Sequence, residues 1–213
     1  MPRQTSWAAH AKRKRRSSSL KGDDVSEDLQ IHVDYSLLKR DGEYGKPNPN
    51  APPELSRFAF LIGKWRGAAK LKRKEQTWEN LNATWEGRYI LDGYAIADEY
   101  RMMTLAAELL VLGVNLRCYD AKNKTWNIKW LNALAGTWVD LGPEELGGVK
   151  ANEKAITYLM KEDARGRSDA AHVLTRATYT NNSEDHFTWR GERSSDGRTW
   201  EEFLVIECHR DRN

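Results

Sequence analysis

Cysteine is scarce in this chain: Cys118 and Cys208 are the only two in 213 residues. That is too few for a disulfide framework or a four-thiolate metal site. The five histidines, His10, His32, His172, His186 and His209, show no His-x-x-x-His or Cys/His metal spacing. Cys208 and His209 are adjacent, so on a strand they face opposite sides and cannot chelate one ion together. Long apolar runs are also missing. Mean hydropathy is −0.78, and no stretch approaches the roughly 18 residues of a membrane span. There is no G-x-S-x-G, P-loop or G-x-G-x-x-G, so no nucleophile elbow and no phosphate cradle. Net charge is a modest +3, but it is unevenly placed. Residues 1–22 hold Arg3, Lys12, Arg13, Lys14, Arg15, Arg16 and Lys21 and no acid, so the rest of the chain is net acidic. A net acidic body argues against nucleic acid as the partner.

What is present divides near residue 52. Residues 1–30 lack hydrophobic periodicity and read as a disordered basic tail, with Lys12–Arg16 followed by Ser17–Ser19. A solubilising end is the preferred reading, ahead of a site for an anionic partner or a kinase. No apolar segment follows the charges, so a secretory signal is not expected and the location expected is cytoplasmic. Residues 31–52 contain Pro47, Pro49, Pro52 and Gly45 among asparagines, and read as an extended linker.

The folded part is expected over 53–213. Leu55, Phe58, Ala59 and Ile62 recur at i, i+3, i+4 and i+7, the spacing of a short amphipathic helix that opens at Pro53 and ends at Gly63. From Lys64 the pattern becomes short runs rich in Val, Ile, Thr, Tyr and Trp. Asp92-Gly93, Asp120–Lys124 and Ser195-Asp196-Gly197 are its firmest hairpin signals. Met102–Leu112 fits either a helical turn or an apolar strand. The expected fold is all-β: a closed antiparallel barrel of about 8–10 strands, because closure removes edges and leaves a lumen for one small ligand.

Gly63-Lys64-Trp65 after the helix resembles the opening of the lipocalin, or calycin, superfamily. That resemblance implies a Trp plugging the barrel base and a late Arg, here Arg210, packed on it. Leu61–Gly67, Gly87-Arg88-Tyr89-Ile90-Leu91, Gly113 with Tyr119-Asp120, and Asp196-Gly197-x-x-Trp200 with a closing Arg resemble the lipocalin-like DUF1579 family. The resemblance spans about residues 55–210. It implies a calycin barrel and no particular reaction. Gly63-x-Trp65-x-Gly67 also resembles the haem-binding nitrobindin barrels, which implies His209 as an iron ligand. Ala69 stands where that motif has a further glycine.

Nine Trp, eight Tyr and four Phe are many for one domain. The candidate ligand-binding residues are Trp85, Tyr89, Tyr100, Trp126, Trp130, Trp138 and Trp189, joined by Arg176 and Arg190 if the lumen carries paired charges. Alternation puts Trp126, Ile128 and Trp130 on one face, and Phe187, Trp189 and Gly191 on one face. Most other strand charges, Asp98 and Arg117 among them, are expected outside. The function these features point to is binding of a small, mainly apolar molecule in the lumen. An isomerase- or cyclase-type barrel enzyme and the haem barrel are the alternatives. No metal and no other cofactor is expected, and the sequence sets neither catalytic residues nor oligomeric state.

Overall fold

β-branched and aromatic runs, separated by residues that tolerate positive φ, produce eleven antiparallel strands among the described residues, more than the eight to ten expected. The computed structural model describes residues 42–73, 77–161 and 174–212. The basic tail, residues 31–41 of the linker and the turn at 163–168 lie outside the described residues. The strands are β1 (Gly63–Lys72), β2 (Trp78–Ile90), β3 (Ala95–Met103), β4 (Leu109–Asp120), β5 (Thr125–Asn132), β6 (Thr137–Leu141), β7 (Lys150–Ala151), β8 (Ala155–Lys161), β9 (Leu174–Thr180), β10 (His186–Ser194) and β11 (Glu201–Arg210).

Their order across the sheet is β6-β5-β4-β3-β2-β1-β11-β10-β9-β8-β7. Each strand pairs with its neighbours in sequence, β1 joins β11, and the ladder breaks only between β6 and β7. The sheet curls like a barrel but has two ends, which corrects the expectation of closure. The reason is local. β6 has five residues and stops at Gly142, whose φ of 65° turns the chain off the ladder. Pro143 follows and has no N–H to donate. β7 has only two residues. Among the described residues, one backbone hydrogen bond, Gly142 N–H to Leu159 O at 2.8 Å, spans the seam between β6 and β8.

The hairpin signals fall where the chain turns. Leu91 and Asp92, at φ 51° and 53°, and Gly93, at 83°, join β2 to β3. Asp120 Oδ1 accepts the Lys122 and Asn123 N–H groups at 2.9 and 3.0 Å ahead of β5. Asp196 Oδ1 accepts the Arg198 and Thr199 N–H groups, both at 2.7 Å, ahead of β11. The ambiguous stretch after Met102 combines both readings: a turn in which Thr104 Oγ1 accepts the Glu108 N–H at 3.1 Å, then β4 from Leu109. Within the linker, Asn48 N–H donates to Gly93 O at 3.1 Å and Tyr44 O accepts the Tyr89 N–H at 2.8 Å. Residues 42–52 therefore lie along the β2–β3 turn.

The short helix is a 3₁₀ helix, Pro53–Leu61, not an α-helix. It buries Leu55, Phe58 and Leu61, three residues apart, which matches three residues per turn. Ile62 is already extended. Trp65 is 1% exposed, donates Nε1–H to Leu61 O at 3.2 Å, and carries the Arg210 guanidinium 4.2 Å above its ring. Arg210 Nη1 in turn donates to Ile62 O at 2.8 Å. Gly63 sits at φ 105°, and a Cβ there would collide with Arg210 Nη1. The Gly-x-Trp opening thus couples helix end, first strand and last strand, as the lipocalin resemblance implies.

Candidate functional site

Alternation on β3 sends Ile96, Asp98, Tyr100 and Met102 to the concave face, and on β4 it sends Gly113, Asn115 and Arg117 there. Asp98 and Arg117 are both 0% exposed, so the expectation that they face solvent is corrected. Their burial is compensated. Asp98 Oδ2 accepts Arg117 Nε–H at 2.5 Å, and Asp98 Oδ1 accepts Trp85 Nε1–H and Asn115 Nδ2–H, both at 2.7 Å. Arg117 Nη2 also reaches Asp98 Oδ1 at 3.1 Å and donates to the Tyr179 hydroxyl at 3.0 Å. The Tyr158 and Tyr179 hydroxyls are 3.5 Å apart. On its other side the guanidinium lies 4.5 Å from the ring centre of Phe58, which also meets Trp126 edge-on at 4.8 Å. Burial alone would lower the Arg117 pKa, but the Asp98 carboxylate, with Tyr179 and Tyr158 adding to it, raises it and holds the guanidinium charged.

This network sits between the 3₁₀ helix and a cavity of about 190 Å³. Four of its members, Trp85, Asn115, Tyr158 and Tyr179, also form part of the cavity wall. Their orientations are therefore fixed by hydrogen bonds before any ligand arrives. The rest of the wall is aromatic or aliphatic, apart from Thr175: Tyr100 and Trp130 on one side, Trp189 and Phe203 on the other, with Leu141, Met160, Leu204 and Ile206 between. None of the lining residues carries a formal charge. Burial pushes the hydroxyls of Tyr100 and Tyr179 well above the usual tyrosine range, so both stay protonated at neutral pH.

Two glycines make room for the indoles. A Cβ at Gly113 would strike the Trp130 ring and Leu131 O, and a Cβ at Gly191 would lie 2.7 Å from the Trp189 ring and 2.8 Å from that of Phe203. Each tryptophan thus lies over a glycine and presents a face to the cavity.

Of the residues singled out from sequence, Trp85, Tyr100, Trp130 and Trp189 come together around the cavity. The other five lie elsewhere. Tyr89 is in the core and away from the cavity wall, and Trp126 packs against Phe58 and Tyr119. Trp138 is 55% exposed on the convex face of β6. Arg176 is on the convex face of β9, bonded to Glu192 at 2.7 and 2.6 Å and stacked 4.3 Å over Trp200. Arg190 is exposed and bonded to Glu202 at 2.7 Å. The paired charges anticipated for the lumen therefore form, but outside it, because Thr175, Ala177 and Tyr179 take the inward positions of β9. His209 also points outward, its ring 4.8 Å from that of His186, and no lining residue of the cavity is a histidine. The haem arrangement does not fit these residues. Among the described residues, no group of three or more His, Cys, Asp or Glu is placed to hold a metal.

Sequence reasoning missed Asn115, Tyr158 and Tyr179. The available signal was phase: Asn115 is in step with Gly113 and Arg117, and Tyr179 with Thr175 and Ala177.

No family model matches the chain, and neither does any curated protein. Among solved structures, the chain resembles the crystal structure of Rv2717c from M. tuberculosis with a TM-score of 0.54 at 13% identity, over 76% of this chain and all of that one. It also resembles the S-type phycobiliprotein lyase CPES from Guillardia theta, at TM-score 0.44 and 9% identity, over 74% of this chain and 92% of that one. A third likeness is to a redesigned β-barrel, mFAP1, bound to DFHBI, at 0.37 and 10%, over 71% and 96%. At such identities the likeness to the first of these speaks for fold alone, a curled antiparallel sheet. Among the described residues no helix is long and apolar enough to cross a membrane.

Proposed function

We propose that the protein binds one small, mainly apolar molecule in the cavity of its curled sheet. The observation that carries this reading is the wall itself. Trp85, Tyr100, Trp130 and Trp189 converge from four strands on an uncharged space, beside polar groups already fixed in place. Apolar walls with a few oriented polar atoms are the usual make-up of a small-molecule site. An engineered apolar cavity of about 150 Å³ accepts benzene, so the space here suits a one- or two-ring molecule. Burying each aromatic contact contributes about 1.5–3 kcal/mol, enough in combination for micromolar affinity. The isomerase- or cyclase-type reading has less support, because the tyrosines here that burial holds protonated make poor general bases. Affiliation with the DUF1579 family is part of the same proposal and rests on the motifs from Gly63-x-Trp65 to Asp196-Gly197-x-x-Trp200.

Tryptophan emission tests the reading against a panel of neutral and charged small aromatics and fatty acids. Saturable, one-to-one quenching is expected from at least one class. Trp130→Ala should weaken that binding about tenfold or more while the protein stays folded, since its ring borders open space on one side. Trp65→Ala should do the reverse, lowering stability by about 3–5 kcal/mol as a packed aromatic site empties. Quenching by none of the panel would remove the proposal.

A further inference from the structure

Asn115 is 5% exposed and lies on the cavity wall, directly across the β4–β5 ladder from Trp130. Its Nδ2 donates to Asp98 Oδ1 at 2.7 Å. A carboxylate accepts and does not donate, so the amide can only be oriented with Nδ2 toward Asp98. Its Oδ1 is then left as an acceptor, with no hydrogen bond to it seen among the described residues, and the Tyr100 hydroxyl on the same wall is likewise without a partner. An amide oxygen in an apolar wall is costly to leave unpaired, and it selects for a ligand that brings a hydrogen-bond donor.

Charge narrows the class further. Among the described residues, Arg117 lies behind the wall, its Nε and Nη2 committed to Asp98 and Tyr179 and its Nη1 buried without a partner. It is absent from the wall and faces Phe58. A ligand carboxylate beside Asn115 would meet the amide oxygen on a wall that carries no cation, because Arg117 and Asp98 behind it neutralise each other. It would give up its hydration with no partner in return. Resting on the ligand-binding reading above, we infer that the site selects neutral one- or two-ring aromatics that carry an O–H or N–H group. The ring would lie against Trp130 and the donor would point to Asn115 Oδ1. Carboxylates, fatty acids among them, are rejected.

The test uses three probes of one shape on the full chain: 1-naphthol, 1-methoxynaphthalene and 1-naphthoate, titrated calorimetrically at neutral pH. Naphthol should bind tightest. Methylating the oxygen removes the donor and should weaken binding about tenfold. Naphthoate should bind at least a hundredfold more weakly than naphthol. Asn115→Leu should bring naphthol and methoxynaphthalene to equal affinity. If that variant does not fold, since it also removes a partner of Asp98, the wild-type series decides alone. Equal binding of naphthol and methoxynaphthalene, or naphthoate binding as tightly as naphthol, overturns the inference while leaving the ligand-binding reading in place. Failure of all three probes, together with a silent fluorescence panel, overturns both. Failure of all three with a positive panel overturns the inference alone.

Discussion

Asp98 is the side chain on which the interior turns. It is fully buried and collects hydrogen bonds from an indole, an amide and a guanidinium, contributed by β2 and β4. Removing one partner of a buried pair leaves an uncompensated charge, which typically costs about 3–5 kcal/mol. Asp98→Asn should therefore lower stability by that amount in urea unfolding, because Arg117 keeps its charge and loses its counterion. Asp98→Leu combined with Arg117→Met should recover only part of the loss, since it removes the unpaired charge but leaves the Trp85 Nε1–H and Asn115 Nδ2–H donors without an acceptor. A single variant as stable as the wild type would show that the pair does not hold the interior together. The same residues show what could be read from the sequence. Trp65 and Arg210 were legible because a short motif, Gly-x-Trp, ties them to a defined geometry. Asp98 and Arg117 were not, because their residue type outweighed their phase. Asp98 falls in step with Ile96, Tyr100 and Met102, and on β4 it is Leu112, Val114 and Leu116 that turn away from the concave face. Charge argued for solvent, but the alternation carried the correct answer.

At the scale of elements, turns were the most legible features and helix type the least. Asp-Gly and Asp-Ala-Lys-Asn encode their turns within a few residues, through positive φ and side-chain acceptors. The buried face of the 3₁₀ helix departs from the α-helical expectation at its end, where Leu61 is buried in place of Ala59 and Ile62. Packing under the sheet decides that, and it is not a local property. The β10–β11 hairpin offers a direct measurement. Asp196 Oδ1 accepts two backbone N–H groups and the Ser194 hydroxyl at 2.9 Å, and these bonds hold its carboxyl well below the usual value of 3.8. A carboxyl whose folded pKa is depressed stabilises the fold fully above its unfolded pKa. That contribution is lost as pH falls through the folded value. Asp196→Ala should thus be less stable than wild type by a constant margin from neutral pH down to about pH 4, and the margin should shrink below that. A margin that widens in acid, or none at neutral pH, would mean that the carboxylate does not organise this turn.

At the scale of the molecule, the architecture was legible except for the number of strands and one joint. Chain order, antiparallel pairing and the β1–β11 closure all follow from a meander whose ends meet. What the sequence concealed is that Gly142-Pro143 cuts the ladder between β6 and β8, leaving, among the described residues, a single backbone hydrogen bond across the gap. The cavity lies beneath this gap. Leu141 at the end of β6 forms one side of the wall, and Tyr158 and Met160 on β8 form the other. The place where the sheet is least tied together is thus the place where a small molecule would gain access and, once bound, bridge the two sides. Strands held on both flanks by full ladders, such as β1, β2 and β11, open only with global unfolding, whereas short end strands open locally. Amide hydrogen exchange should therefore be slowest in β1, β2 and β11 and fastest in β6 and β7. A saturating neutral aromatic ligand should slow exchange at Gly142 and along β6 and β8 while leaving β1 and β2 unchanged. Ligand protection spread evenly over the sheet, or confined to the convex face, would place the binding site somewhere other than under the seam.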